Sequence, residues 1–167
     1  MEKADQSLID DFLPVARAYC EFIEHPPDIE KEEFNKQLLQ RLAALFHAGS
    51  HLLYLDSGED EPEIDFVPKE AIQKLTEGLK ASKLDMDCYW VSLDPLKFDS
   101  EKVETGCGSL FDDLLDIYRD VKQGILMYEH GCDPRNAYWE WAFGFQSHWG
   151  RHAAEAIFAL HHRCFLS

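Results

Sequence analysis

Apolar side chains recur at helical spacing along most of the chain and divide it into five predicted helices. Each segment carries apolar residues three or four positions apart, the pattern of an amphipathic helix with one face on a core. The predicted helices cover residues 8–24, 28–54, 68–80, 109–130 and 133–162. Because the connections are short, the pattern predicts an all-α fold: an antiparallel bundle of about five helices in a single domain, residues 1–167.

Local signals mark the ends of several predicted helices. Ser109 is placed to cap the fourth helix, and Asp133 followed by Pro134 starts the fifth. Gly131 stands where the fourth helix should end. Pro14 lies inside the first helical pattern, so we expect it to kink that helix or delay its start.

Residues 84–108 have no helical periodicity and are predicted to be irregular. Aromatic and β-branched residues favour strands, so we expect one short extended piece at Tyr89-Trp90-Val91. The run Gly106-Cys107-Gly108 is typical of a break before the fourth helix.

The fourth and fifth predicted helices carry a recognisable sequence. The pieces are SLFDDLLDIYRD at residues 109–120, WEW at 139–141 and HWGRHA at 148–153. In this order they resemble a bacterial family of uncharacterised proteins, domain of unknown function 5063. The resemblance covers the last third of the chain and a short stretch, residues 19–23, in the first half. It implies no particular activity and no catalytic residue, since the family has no assigned activity.

The charge balance limits the partners that this chain can bind. Thirty-two acidic residues against sixteen basic ones give a net charge of −16. Nucleic acid and anionic membranes need Lys and Arg to neutralise phosphate, so we expect neither as a partner. A basic protein, a polyamine or a metal cation fits this charge, and simple solubility explains it equally well.

The cysteines and the absence of an apolar segment indicate a cytoplasmic location. The five cysteines are odd in number, scattered, and contain no Cys-x-x-Cys pair, which is typical of free thiols in a reducing compartment. No apolar run reaches membrane length, and the polar N-terminus lacks the apolar core of a signal peptide.

Three carboxylates form a stripe on the fourth predicted helix, away from its apolar face. Asp113, Asp116 and Asp120 follow the spacing i, i+3, i+7 and therefore share one side of the helix. Such a stripe can bind a divalent cation. The alternative is that Asp112 and Asp113 lie in the first turn, where the helix dipole favours negative charge, while Asp116 and Asp120 flank Arg119 on a solvated face.

The fifth predicted helix carries a His-x-x-x-His pair. His148 and His152 stand one turn apart, a spacing found among metal ligands, and Glu155 could be a third ligand or orient one. The alternative is that these histidines hydrogen-bond carboxylates of the fourth helix and so tie the two helices together. His47 and His51 have the same spacing opposite an apolar face, where we expect solvent.

Trp141, Gly144 and Phe145 share the stripe of these histidines. We interpret Trp141 as a core residue. A glycine inside a helix costs about 1 kcal/mol relative to alanine, so Gly144 indicates close approach of another helix or of a ligand.

Two functions remain open from the sequence. The first is a non-enzymatic helical domain that binds a protein partner through its acidic surface. The second is a divalent-metal-binding protein or metal-dependent hydrolase with its site between the fourth and fifth helices. That site would use Asp113, Asp116 or Asp120 together with His148, His152 and Glu155. Separately from either function, we expect the two helices to pack directly, with the aspartate stripe linked to His148 and His152.

Overall fold

Six helices and a two-stranded hairpin make up the part of the chain that the computed structural model describes, residues 3–53, 56–58, 65–81, 84, 87–94, 96 and 104–166. The elements in order are α1 (Lys3–Glu24), α2 (Lys31–Ser50), α3 (Lys69–Ala81), β1 (Cys88–Ser92), β2 (Thr105–Ser109), α4 (Leu110–Glu129), α5 (Pro134–Ser147) and α6 (Trp149–Phe165). The predicted all-α bundle is therefore confirmed, with one helix more than expected.

The extra helix arises because the predicted fifth helix is broken at His148, whose φ of −146° and ψ of −83° are not helical. The Trp149 indole N–H donates to the Trp141 carbonyl at 3.0 Å. Residues eight apart in a continuous helix are separated by about 12 Å along its axis, so the chain must turn between them. At Gly150 a Cβ atom would overlap the Phe145 carbonyl, so the turn requires glycine there. The prediction of a single helix over residues 133–162 was therefore wrong.

The segment predicted to be irregular contains an antiparallel hairpin of β1 and β2, with Tyr89 opposite Gly108. The expected extended piece at Tyr89-Trp90-Val91 is confirmed, but Gly106-Cys107-Gly108 is its partner strand rather than a break. A Cβ on Gly108 would lie 2.6 Å from the Tyr89 ring. The glycine therefore lets this ring lie flat across the neighbouring strand.

The first two helices differ from prediction at their ends. α1 begins at Lys3 and runs through Pro14, so the proline does not delay its start. It ends at Glu24, before the His25-Pro26 pair, as the avoidance of helical backbone before proline predicts. α2 is shorter than the predicted range 28–54.

The ends of α4 and α5 follow the predicted signals. The Ser109 hydroxyl accepts a hydrogen bond from the backbone N–H of Asp112, and the Asp133 carboxylate accepts one from that of Arg135. Gly131, at φ +80°, ends α4, where the N–H of Cys132 donates to the Met127 carbonyl at 3.1 Å. This tight turn makes α4 and α5 antiparallel neighbours.

Helix α4 lies at the centre of the packing and contacts α1, α5 and α6. The Tyr19 hydroxyl on α1 donates to the Leu114 carbonyl at 2.9 Å. Phe12 lies 5.0 Å from Trp141 and 6.2 Å from Trp149, measured between ring centroids, and all three side chains are buried. Phe12 of α1 therefore packs against both halves of the broken helix, and α4 also contacts both halves. In the described residues no helix is long and apolar enough to cross a membrane.

Candidate metal centre

The aspartate stripe of α4 faces the start of α6, at the edge of the core. Asp113 is only 3% exposed. The side chains of Asp116 and Asp120 are 34% and 17% exposed, and Arg119 lies 3.8 and 3.9 Å from their carboxylates. Asp113 is therefore the most buried of the three carboxylates, and Asp116, between the other two, is the most exposed.

Both predicted histidines meet this stripe. Nδ1 of His148 lies 2.7 Å from Oδ2 of Asp120, and Nδ1 of His152 lies 2.8 Å from Oδ1 of Asp113. An ionised carboxylate can only accept, so each ring donates its Nδ1–H. The direct packing of the two helices and the predicted link from Asp to His are thus confirmed.

These contacts leave the second nitrogen of each ring for another partner. One ligand atom each from Asp116, His148 and His152 lie within 4.8 Å of one another. Nε2 of His152 is 3.8 Å from Oδ2 of Asp116. Ligands that each lie about 2.0–2.1 Å from a zinc ion are at most about 4 Å apart. Shifts of up to about 1 Å in these half-exposed side chains would therefore form a three-ligand site.

Tyr89 supports the site from the hairpin, and sequence reasoning missed it. Its hydroxyl donates a hydrogen bond to Oδ2 of Asp113. Burial and this hydrogen bond to a carboxylate raise the pKa of the Tyr89 phenol. Asp113 thus accepts from His152 on one oxygen and from Tyr89 on the other. Neither spacing nor periodicity relates Tyr89 to α4, because the contact depends on the pairing of β1 with β2.

The His152 imidazole is stabilised in its charged form. Its hydrogen bond to Asp113 raises the pKa of His152, although partial burial acts in the opposite direction. Protons and a metal ion would therefore compete for the same ring.

Glu155 is not part of the cluster. Its carboxylate accepts from Nε of Arg151 at 2.8 Å, one turn earlier on α6. The structure thus brings Asp116, His148 and His152 together as possible ligands. Asp113 and Asp120 contact Nδ1 of the two rings instead. Glu155 forms an ion pair outside this group.

The stripe of Trp141, Gly144 and Phe145 packs in and against the core. Trp141 is fully buried, and its indole N–H donates to the Val121 carbonyl at 2.9 Å. The close approach expected at Gly144 comes from the Trp149 indole, which a Cβ there would meet at 2.8 Å. Phe145 is half-buried and packs edge-on against Trp149, with ring centroids 4.9 Å apart.

The pair His47 and His51 has the same ring separation as the pair in the cluster. Ring centroids are 4.8 Å apart in both pairs. Both side chains of the α2 pair are exposed, as predicted. It is not part of the cluster of metal-ligating groups found among the described residues. These two histidines are therefore a natural control for the cluster.

Comparison with known proteins assigns the chain to a family. A family model described as Domain of unknown function (DUF5063) matches residues 3–165. The chain belongs to the DUF5063 family. A crystal structure of protein BF1032 from Bacteroides fragilis matches this DUF5063 chain with a TM-score of 0.78. It covers 96% of this chain and 94% of that one at 22% identity, so the likeness shows a shared fold. No curated protein matches the chain.

Proposed function

We propose that this DUF5063 protein binds a divalent transition-metal ion through Asp116, His148 and His152. The observation that supports the proposal is the orientation of the two rings, each with Nδ1 on a carboxylate and a nitrogen within 4.8 Å of Asp116. Histidines that bind metals generally donate their other ring N–H to a carboxylate, carbonyl or water. Asp113 and Asp120 would fill that role here.

The ligand set favours zinc and similar ions over magnesium or calcium. Two imidazoles with one carboxylate suit zinc, copper, nickel and iron, whereas magnesium and calcium prefer oxygen ligands alone. Zinc is therefore the appropriate test ion, and magnesium is the negative control.

The charges around the cluster favour a cation. Three carboxylates face two rings and one guanidinium, that of Arg119. With neutral rings the group carries a net charge of about −2, which either two protons or one divalent ion would offset. Metal affinity should therefore fall as the pH drops and the histidines become protonated.

A metal with three protein ligands keeps a coordination position for water or substrate. This open arrangement is typical of catalytic zinc sites, whereas structural zinc sites usually have four protein ligands. The His148 side chain is 40% exposed, so solvent reaches the cluster. A metal-dependent hydrolase is the enzymatic form of this proposal, with a metal-bound water as nucleophile.

Zinc titration of the chelator-treated protein, without a histidine tag, tests the proposal. We expect one zinc per chain, weaker binding near pH 5.5 than near pH 7.5, and no displacement by magnesium. His148→Ala and His152→Ala should each abolish this binding, since each removes a ligand. Asp120→Asn should weaken it by about 10–100-fold, because it removes a carboxylate that orients a ring.

His47→Ala is the matched control, since this exposed histidine belongs to the pair with the same ring separation. It should leave zinc binding unchanged. If zinc does not bind, or if His47→Ala abolishes binding while His148→Ala does not, the proposal is wrong. The His–Asp pairs would then serve only to tie the helices together.

An acidic protein-binding surface is the second candidate function. The net charge of −16 supports it, together with Phe143 and Phe158, which are 45% and 68% exposed. Aromatic residues such as phenylalanine are enriched at protein interfaces relative to the rest of the surface. Binding to an immobilised basic peptide would support this function if Phe143→Ser weakens the binding and low salt strengthens it. Binding that depends on salt alone would contradict a specific surface.

A further inference from the structure

Two cysteines share the outer face of the hairpin. Side chains alternate along β1, so Cys88, Trp90 and Ser92 point to one side, and all three are exposed. The register pairs Cys88 with Ser109 and Trp90 with Cys107. Cys88 and Cys107 are therefore diagonal neighbours on one exposed face.

The two thiols lie side by side on this face. The neighbouring Cys107 thiol raises the pKa of the Cys88 thiol, and the Cys107 thiol itself donates to the Gly108 carbonyl at 3.6 Å. Diagonal neighbours on one face of an antiparallel pair lie about 7–8 Å apart, just beyond the usual Cα separation of about 4.4–6.8 Å in a disulfide, so a cross-strand bond would draw the two strands slightly together. The other three cysteines differ in setting: Cys20 is buried, and Cys132 and Cys164 are half-buried. The hairpin pair thus combines exposure with a second thiol at hand.

We propose that Cys88 and Cys107 form a redox site at which small-molecule disulfides are the oxidant. A thiolate of the pair attacks the small disulfide, forming a mixed disulfide and releasing one small thiol. The second hairpin thiolate then attacks the bound cysteine sulfur and releases the other small thiol. In total two cysteine thiols become one cross-strand disulfide, one small disulfide becomes two small thiols, and the two protons lost by the cysteines are taken up by those small thiols.

The site lies directly behind Tyr89. This residue stands between Cys88 and Trp90 but points to the opposite face, where its hydroxyl holds Asp113. A cross-strand bond would fix the strand that carries Tyr89. The proposal itself concerns only the thiols and is independent of metal binding.

Oxidation of the full reduced chain with oxidised glutathione tests the proposal. The protein is incubated in glutathione buffers of increasing oxidised fraction, free thiols are blocked with an alkylating agent, and intact mass and peptides are measured. We expect a species lighter by two hydrogens before alkylation, with Cys88 linked to Cys107 and the other three cysteines alkylated. Reduced glutathione should reverse it.

Single substitutions separate a paired site from two independent thiols. Cys88→Ser and Cys107→Ser should each accumulate a glutathione adduct on the remaining hairpin cysteine, with no internal disulfide. Cys132→Ser is the control and should oxidise as the wild type does. The proposal is overturned by a wild-type protein that accumulates only glutathione adducts, links a different pair, or remains fully reduced across the series.

Discussion

Replacing His152 with alanine is the most informative single change in this protein. Asp113 is 3% exposed and accepts two hydrogen bonds, from His152 and from Tyr89. The variant leaves one carboxylate oxygen buried without its donor. A hydrogen bond to a charged group contributes about 1.5–3 kcal/mol, so the free energy of unfolding should fall by about 2 kcal/mol. That is a large part of a typical total of about 5–15 kcal/mol.

The loss should depend on pH with a definite sign. The hydrogen bond to Asp113 raises the pKa of His152 in the folded protein. Its extra stabilisation is therefore fully present below the unfolded histidine pKa of about 6.5 and is lost as the pH rises through the folded value. The difference between wild type and His152→Ala should shrink over that window without vanishing, because the neutral ring still donates Nδ1–H.

Urea unfolding of wild type and His152→Ala over a range of pH, with and without chelator, measures both the loss of stability and its pH dependence. The chelator should not change the metal-free stability difference, since it comes from the protein's own contacts. His47→Ala is the control, an exposed helical histidine whose removal should change stability by less than about 0.5 kcal/mol. If His152→Ala also changes stability by less than about 0.5 kcal/mol, the buried Asp113–His152 pair does not stabilise the fold and the reasoning is refuted.

Three further changes test other contacts. Burial opposes ionisation of Glu24, but its 2.7 Å ion pair with Lys122 leaves the pKa of Glu24 lowered. The stabilisation from this ion pair is therefore present at neutral pH and lost as the pH falls through the pKa of Glu24 in the folded protein. In pH-dependent unfolding, Lys122→Met should reduce this loss of stability in acid. Gly124→Ala should lower the free energy of unfolding in urea by about 1–3 kcal/mol, since its Cβ would overlap a buried indole. Gly78→Ala is the control: its Cβ meets nothing within 4 Å, and it should stabilise α3 by up to about 1 kcal/mol. Equal effects of the two substitutions would contradict the close packing at Gly124. Asp116→Asn should change metal-free stability by less than about 0.5 kcal/mol yet weaken zinc binding, and a large stability loss would show it to be structural.

Much of the site could be predicted because helical periodicity and a short turn determine which faces meet. The turn at Gly131 brings α5 back along α4, so the break at His148 and the start of α6 lie beside the stripe of Asp113, Asp116 and Asp120. Periodicity shows which face of a helix a side chain lies on, but not how deeply the side chain is buried or which residue it contacts. It therefore could not show that Asp113 is buried or that His148 chooses Asp120.

The helix break at His148 and the role of Tyr89 escaped prediction for a different reason. Both halves of the broken helix keep an apolar stripe, so the periodicity continues across the break. Gly150 was the local signal, since a glycine in a helix often permits a close backbone contact. Tyr89 reaches α4 through pairing of β1 with β2, a long-range contact that no local pattern encodes.

Anomalous scattering at the zinc absorption edge, from crystals grown with one equivalent of zinc, shows directly whether the cluster binds the metal. We expect one strong peak about 2.0–2.2 Å from Nε2 of both His148 and His152 and from a carboxylate oxygen of Asp116. Each Nδ1 should remain hydrogen-bonded to its aspartate on α4. No peak in the cluster, or a peak at His47 and His51 instead, would contradict the proposed metal site.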